Sequence, residues 1–161
     1  MPYTRLQVET FLVGPDLVSG RRGAICARAM LFNAGAVALG TVPALAGPIT
    51  RSLTALGSPP LDPLNPADAD IASLSADLTS ALLDLSDMFL LEWIVGNWVL
   101  VDQKISMGGL NLGQFGDRLE RELMELRKEA KIKYGYGLSS PVLGTTDLGF
   151  AASQSPYWTS P

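Results

Sequence analysis

Residues 65–101, NPADADIASLSADLTSALLDLSDMFLLEWIVGNWVLV, form the longest segment of the chain without a cluster of helix-breaking residues after its opening proline. Apolar residues recur there at intervals of three or four, which places them on one face of an α-helix. This set comprises Ile71, Leu74, Leu78, Leu82, Leu85 and Phe89. Asn65 fits the N-cap and Pro66 the first helical position. The segment therefore predicts a long helix around which an all-α fold is organised.

The second part of this helix, residues 88–101, is almost entirely apolar, with only Glu92 and Asn97 strongly polar. A helix that is apolar on most sides is covered by other protein or by lipid. At about 1.5 Å per residue it extends about 21 Å, which is shorter than the roughly 30 Å hydrocarbon core of a bilayer. We therefore expect a helix that is buried in the protein core.

Further helices are predicted on both sides of this segment. Thr4 and Gln7 fit a capping box, so a first helix is expected to run to about Val13, where Gly14 and Pro15 end it. Three more helices are expected at residues 19–40, at 48–56 closed by Gly57, and from the N-cap Asp117 to the C′ residue Gly135. The last carries a narrow apolar stripe of Leu119, Leu123, Leu126 and Ala130. Proline- and glycine-rich stretches at 40–48, 58–66 and 104–116 are expected to connect the helices.

The expected architecture is all-α, a small bundle of four or five helices with a long extended C-terminal arm. Residues 1–134 form the predicted helical domain. It is divided into short Ala/Gly-rich helices in 1–57, a proline-rich connector in 58–66 and the main helices in 67–134. Residues 135–161 form the predicted arm.

The arm is rich in Gly, Pro, Ser and Thr, and Asp147 is its only charged residue. It also contains Phe150, Tyr157 and Trp158, although a solvated disordered tail is typically poor in aromatic residues and rich in charge. We therefore expect these three side chains to dock on a partner, for example as part of an added strand. The alternative is a flexible tail without a partner.

The net charge of −4 hides a separation of acids and bases along the chain. Residues 1–51 hold five arginines and two acids, residues 52–103 hold eight acids and no base, and residues 104–161 hold seven bases and six acids. This separation suits head-to-tail contact between copies of the chain, where unlike patches meet. It suits equally well a fold in which the patches neutralise each other.

Five charged residues are candidates for contacts with a partner. Asp70, Asp77 and Asp84 are spaced by seven and are expected to line one side of the long helix. Arg127 and Lys128 belong to the basic end of the last helix. A basic end of this kind can touch phosphate, which allows incidental contact with DNA. The isoelectric point near 4.7 argues against a dedicated nucleic-acid-binding protein.

The residue types exclude several kinds of active site. The chain has no histidine, which rules out Ser-His-Asp and Cys-His arrangements and removes the commonest metal ligand. The single Cys26 cannot form an internal disulfide and is expected to be a small buried apolar residue. No glycine-rich phosphate-binding motif is present. We therefore expect no catalytic residue, metal site or cofactor.

Two other classes of function stay open as alternatives. Residues 29–50 are 22 uncharged residues that follow three arginines in 21–28, a pattern that suggests a small membrane-associated or exported helical protein. Asn33 and two prolines interrupt this run, so we expect no membrane partner. A helical enzyme that uses Asp84, Asp87 and Glu92 is the third hypothesis, because paired carboxylates can perform acid–base chemistry.

The order of elements in residues 65–161 resembles that of the small helical head–tail connector (adaptor, or neck) proteins of tailed bacteriophages. A helix with an aliphatic stripe (71–85) leads to an apolar helix (88–101). A loop of about a dozen residues, a charged helix (117–133) closing with Lys-x-Lys-Tyr-Gly-x-Gly-Leu, and the arm follow. The Ala/Gly-rich residues 21–57 depart from that pattern.

The resemblance implies a structural virion protein without enzymatic activity, assembled in the host cytoplasm. Connector proteins of this kind form rings, often of about twelve subunits, beneath the portal. The implied partners are therefore copies of the chain itself, the portal protein, and tail or neck proteins. The arm is expected to reach one of these partners.

Overall fold

The computed structural model describes residues 3–28, 38–97 and 113–134. Within these ranges the chain is all-α, without a strand, as the sequence predicted. The elements are α1 (Arg5–Val13), α2 (Gly23–Arg28), α3 (Pro43–Ala55), α4 (Asp68–Ala72), a 3-10 turn (Ala76–Leu78), α5 (Thr79–Gly96) and α6 (Gly113–Tyr134). The predicted arm, residues 135–161, and the loop residues 104–112 lie outside the described residues.

Helix α5 is the centre of the fold. It packs mainly against α3 and α6, and α1 also contacts it. The side chains of residues 85–91 are all buried, and Ile94 is buried one turn later. The prediction that this apolar helix is surrounded by other protein is therefore confirmed for its described part. Trp93 is 38% exposed, so one strip of the helix still faces outward.

The prediction of one long helix beginning at Asn65 was wrong. Helix α4 begins at Asp68, with Ala67 as its N-cap, and ends at Ala72. The chain then forms the 3-10 turn before α5 starts at Thr79. Ser73 contributes to this break, because its hydroxyl donates a 2.6 Å hydrogen bond to the Asp70 carbonyl and so competes with helical pairing. Six α-helices therefore appear in the described residues, against the four or five expected.

The apolar pattern nevertheless identified the core correctly. Ile71, Leu74, Leu82, Leu85 and Phe89 are all buried, although they belong to three separate segments. A helical turn, a tight turn and a second helix can direct side chains to the same side of the chain. The periodicity therefore reports burial more reliably than it reports helical continuity.

Helix α1 matches its prediction. The Thr4 hydroxyl accepts a hydrogen bond from the Gln7 backbone at 3.3 Å, and the Gln7 side chain accepts one from the Thr4 backbone at 2.9 Å. This capping box satisfies donors that the first turn leaves unpaired. The helix ends at Val13, and Gly14 follows with a positive φ of 81°. Both ends are therefore set by local chemistry.

The boundaries of α2 and α3 differ from those predicted. Helix α2 begins at Gly23 rather than at residue 19, and Leu39 and Gly40 form a turn rather than a helix end. Helix α3 begins at Pro43 rather than Pro48. Pro43 suits the first position because its missing N–H needs no partner there. Pro48 lies within this helix, where it removes a single hydrogen bond. Gly57, with φ of 80°, closes the helical segment as predicted.

Helix α6 is longer at its start than predicted, since it begins at Gly113 rather than after Asp117. Its apolar stripe is confirmed. Leu119 and Leu123 are 2% and 5% exposed, and the two later members of the stripe are partly buried against the same core. The helix is therefore attached to α5 along this apolar face.

The loop between α1 and α2 contains a close approach of backbone to backbone. A Cβ atom placed on Gly20 would collide with the backbone of Val13 and Gly14. We therefore expect Gly20→Ala to lower the free energy of unfolding by about 1–3 kcal/mol. Gly47→Ala is the matched control, because it lies in α3 with open space around it, and should raise stability by about 0.5–1 kcal/mol. Urea unfolding of both variants checks this, and equal effects would contradict the close approach.

Candidate functional site

The three acidic residues of α5 do not form one site but hold three different parts of the fold. Glu92, the last of them, accepts hydrogen bonds from Arg51 of α3 at 2.9 Å and from Arg127 of α6 at 2.5 Å. The guanidinium of Arg51 also lies 4.3 Å from the centre of the Phe89 ring, a cation–π contact. Glu92 therefore joins the two helices that flank α5.

Asp84 holds the end of α6. Its carboxylate accepts a 2.5 Å hydrogen bond from the Tyr134 hydroxyl and lies 3.3 Å from the Lys133 ammonium group. Burial, and then the hydrogen bond to Asp84, raise the pKa of Tyr134 above its ordinary value of 10.0, so this phenol stays protonated as a donor. The contact holds the last turn of α6 against α5.

Asp87 is at the centre of a buried ionic cluster. Its two carboxylate oxygens accept hydrogen bonds of 2.6 and 2.8 Å from the guanidinium of Arg22, and these two side chains are 1% and 3% exposed. Arg22 also lies 2.8 Å from Glu122 of α6, and Arg21 lies 3.3 Å from Asp87. The cluster thus connects the start of α2 to both α5 and α6.

Cys26 lies near this cluster and is fully buried. Burial, opposed by the charge of Arg22 and assisted by that of Asp87, raises the pKa of its thiol to about 12. The thiol is therefore neutral and unreactive at ordinary pH. This agrees with the sequence-based interpretation of Cys26 as a small buried apolar residue.

Glu122 makes the stability of the cluster depend on pH. The hydrogen bond from Arg22 holds the pKa of this carboxyl below its ordinary value of 4.5. A lowered folded-state pKa means that the contribution to stability is complete well above pH 4.5 and is lost as the pH falls through the folded-state pKa. We therefore expect the acid limb of the stability profile to be less steep in Glu122→Gln than in the parent protein. Unfolding in urea between pH 6 and pH 3 measures this, and identical profiles would contradict the assignment.

A second buried cluster connects α1 to the loops around α3. The carboxylate of Glu9 is 0% exposed and accepts hydrogen bonds from Arg5 at 2.8 Å, from the Gly40 backbone at 2.5 Å and from the Val42 backbone at 3.2 Å. Arg5 in turn donates to the Pro66 carbonyl at 3.2 Å. Sequence reasoning missed this cluster, although the spacing of Arg5 and Glu9 by four in a predicted helix was a signal for it.

The structure divides the three acids that were predicted to line one helix. Asp70 lies in α4, Asp77 in the 3-10 turn and Asp84 in α5, so the prediction of a continuous stripe on one helix was wrong. The carboxylate of Asp70 caps its own helix by accepting a 2.8 Å hydrogen bond from the Ala67 backbone. Asp77 is exposed. As partner-binding residues, these acids stay predictions.

The other candidate residues have different outcomes. Arg127 is engaged by Glu92 within the chain, whereas Lys128 is exposed one residue later. Phe150, Tyr157 and Trp158 lie outside the described residues, so their predicted contacts remain untested. The described structure therefore leaves Lys128 as the basic candidate with its side chain in solvent.

A groove of about 560 Å³ lies where the chain leaves α6. Its lining residues come from the end of α3, the 3-10 turn and the end of α6. They are Ala55, Leu56, Gly57, Asp77, Leu78, Lys133 and Tyr134.

Two surfaces expose large apolar side chains to an unusual degree. The first is the proline loop, residues 58–66, in which Leu61 is 98% and Leu64 is 85% exposed. The second is the outer face of α6, which we define as Met124, Lys128, Lys131 and Ile132. On it Met124 is 72% and Ile132 is 73% exposed. Sequence patterns marked the loop as a connector but gave no sign of which leucines point outward.

Comparison of the chain with protein-family models, with curated proteins and with solved structures found no match. None of the helices described at residues 3–28, 38–97 and 113–134 is both long and apolar enough to cross a membrane. In those same ranges, no group of three or more acidic or cysteine side chains is arranged to hold a metal ion. The exposed apolar surfaces are therefore the features from which a function can be argued.

Proposed function

We propose that this chain is a structural subunit that assembles with copies of itself into a ring and serves as a head–tail connector of a tailed bacteriophage. The observation that carries the assembly is the near-complete exposure of Leu61 and Leu64 on a loop whose backbone is fixed. Apolar side chains that are held in solvent by a rigid loop are typical of interaction surfaces. The connector role rests on the order of helical elements.

That order is supported in part by the architecture. The apolar helix α5 is followed by the charged helix α6, and the two pack against each other. The aliphatic element before them is divided into α4 and the 3-10 turn, which differs from the single helix that the resemblance implies. The support therefore concerns the pair α5 and α6.

The acids of α5 have structural uses, which favours this proposal over the enzyme hypothesis. Asp84, Asp87 and Glu92 each bind cationic or hydroxyl groups from other helices, and Asp87 is buried with its arginine. A catalytic carboxylate has to reach a substrate, whereas these carboxylates are engaged in holding α3, α6 and the loop before α2 against α5.

Mass in solution tests the proposal. Light scattering and electron microscopy of the purified full-length protein are expected to show a closed ring of about twelve subunits. A variant that ends at Tyr134 tests the predicted arm, and loss of the ring would make residues 135–161 an assembly element. A full-length protein that stays monomeric at every concentration would overturn the proposal. Protein that disperses only in detergent would instead favour the membrane-associated alternative.

The connector role needs a separate measurement. The ring is expected to bind purified portal protein from a tailed phage that encodes this chain, and to sediment with it. If a ring forms but does not bind portal protein, the proposal of self-assembly stands and the assignment to the head–tail junction is overturned.

A further inference from the structure

The proline loop holds the side chains of Leu61 and Leu64 in solvent on a fixed backbone. The Asp62 backbone carbonyl accepts a 3.1 Å hydrogen bond from the Asn65 N–H, and its side chain accepts one of 3.0 Å from Leu64. Asp followed by Pro63 is the residue pair that a tight turn of this kind prefers. The turn therefore holds its shape without any contact from the two leucine side chains.

The same loop is fixed to the body of the protein on both sides. The Thr50 hydroxyl donates a 2.8 Å hydrogen bond to the Pro63 carbonyl, and the Leu61 N–H donates one of 3.3 Å to Asp70. Arg5 holds the far end of the loop at Asn65. A partner that binds the leucines would lose little loop entropy on binding, so the surface is preorganised.

The surroundings of the leucines are acidic. Asp62 lies between them in the sequence and is exposed, as is Asp68 at the start of α4. No basic residue occurs anywhere in residues 52–103. The exposed part of the loop therefore suits a partner surface that is apolar and basic.

The outer face of α6 carries exposed apolar and basic side chains, with the exposed Glu125 along one edge. Met124 and Ile132 are separated by two turns of helix, about 12 Å along the axis, with Lys128 midway between them. Lys131 adds a second exposed positive charge. Both surfaces are exposed within one copy, so neither covers the other in the same molecule.

We propose that the proline loop of one copy docks on the outer face of α6 of the next copy. Leu61 and Leu64 contact Met124 and Ile132, and Asp62 faces Lys128. Because the two surfaces differ, the contact is head to tail and can be repeated until a ring closes. The inference rests on the proposed ring and names the interface that forms it.

Cross-linking between two cysteine variants tests the interface. One protein carries Leu61→Cys and the other Met124→Cys; the native Cys26 is buried and does not compete. With a short bis-maleimide, cross-linked dimer is expected in the mixture and not with either variant alone. Val18→Cys, an exposed apolar position on another surface, replaces Leu61→Cys in the control mixture and should give no dimer.

The affinity of the contact gives a second, independent readout. Leu61→Gln is expected to raise the dissociation constant of the oligomer by at least about fivefold, because it removes a central apolar contact. Asp62→Asn keeps the side-chain oxygen that accepts from Leu64 but removes the charge, so its smaller effect should vanish in a Lys128→Gln background. Leu6→Gln, at a half-exposed position of α1, is the control with no expected effect.

The outcomes separate the two proposals. An oligomer that forms but gives no loop-to-α6 cross-link, or that cross-links through Leu61→Cys alone, overturns this interface and leaves the ring. A protein that is monomeric under all conditions overturns both the interface and the ring.

Discussion

Replacing Asp87 with alanine is expected to lower the free energy of unfolding by about 3–5 kcal/mol. The carboxylate is 1% exposed and accepts two hydrogen bonds from Arg22, which is itself 3% exposed. In the variant the Arg22 guanidinium stays buried, and the carboxylate left in contact with it is that of Glu122 of α6, at 2.8 Å. Most of the loss therefore comes from a buried guanidinium that keeps only the partly exposed Glu122 as its partner. Urea unfolding followed by circular dichroism measures it.

Glu92→Ala is the matched control on the same helix. Glu92 also binds two arginines, but its side chain is 22% exposed, so water replaces part of the lost contact. We expect Glu92→Ala to lower the free energy of unfolding by about 1 kcal/mol. The double variant Arg22→Met with Asp87→Leu removes both buried charges and should recover much of the stability that Asp87→Ala loses. If Asp87→Ala costs no more than Glu92→Ala, the buried pair does not hold the start of α2 against α5.

The parts of the fold that could be predicted are those that depend on local chemistry. The capping box of Thr4 and Gln7 and the glycine after Val13 fixed both ends of α1, and all these residues lie within eleven positions of one another. The apolar stripe of α6 was equally visible, because one face of a helix repeats at short intervals. Such signals need no knowledge of the rest of the molecule.

The break before α5 could not be predicted in the same way. The apolar positions keep a helical spacing through Ile71, Leu74 and Leu78, although the chain leaves the α-helix at Ser73. Serines in this position have competing hydrogen bonds to the backbone, but the same residues are also tolerated within helices. The apolar spacing therefore does not decide whether the helix continues past Ser73.

The ionic clusters were predicted least well because their partners are distant in sequence. Arg22 and Asp87 are separated by 65 residues, and Glu92 and Arg127 by 35. The separation of charge along the chain was visible, and it allowed either pairing within the fold or pairing between copies. For Asp84, Asp87 and Glu92 the structure shows pairing within the fold. Pairing between copies is left to exposed charged residues such as Asp62 and Lys128.

Glu9→Ala is also expected to lower the free energy of unfolding by about 3–5 kcal/mol, for a different reason. The Glu9 carboxylate is fully buried and is shared by the guanidinium of Arg5 and by the backbone N–H groups of Gly40 and Val42. Alanine would leave one charged and two neutral donors buried without this acceptor. Glu9→Gln keeps an oxygen that can accept from the two N–H groups, so a smaller loss is expected for it.

Hydrogen exchange distinguishes this loss from that of Asp87→Ala. Glu9 connects α1 to a turn more than 30 residues away, so its removal should speed exchange of the Val42 amide, to which the carboxylate is hydrogen-bonded. Asp87→Ala acts at the start of α2 and should leave the Val42 amide protected until the whole fold opens. If both variants expose the Val42 amide equally, the two clusters are parts of one cooperative unit. Because Glu9 lies in α1 and Asp87 in α5, we expect each substitution to speed exchange only near its own cluster.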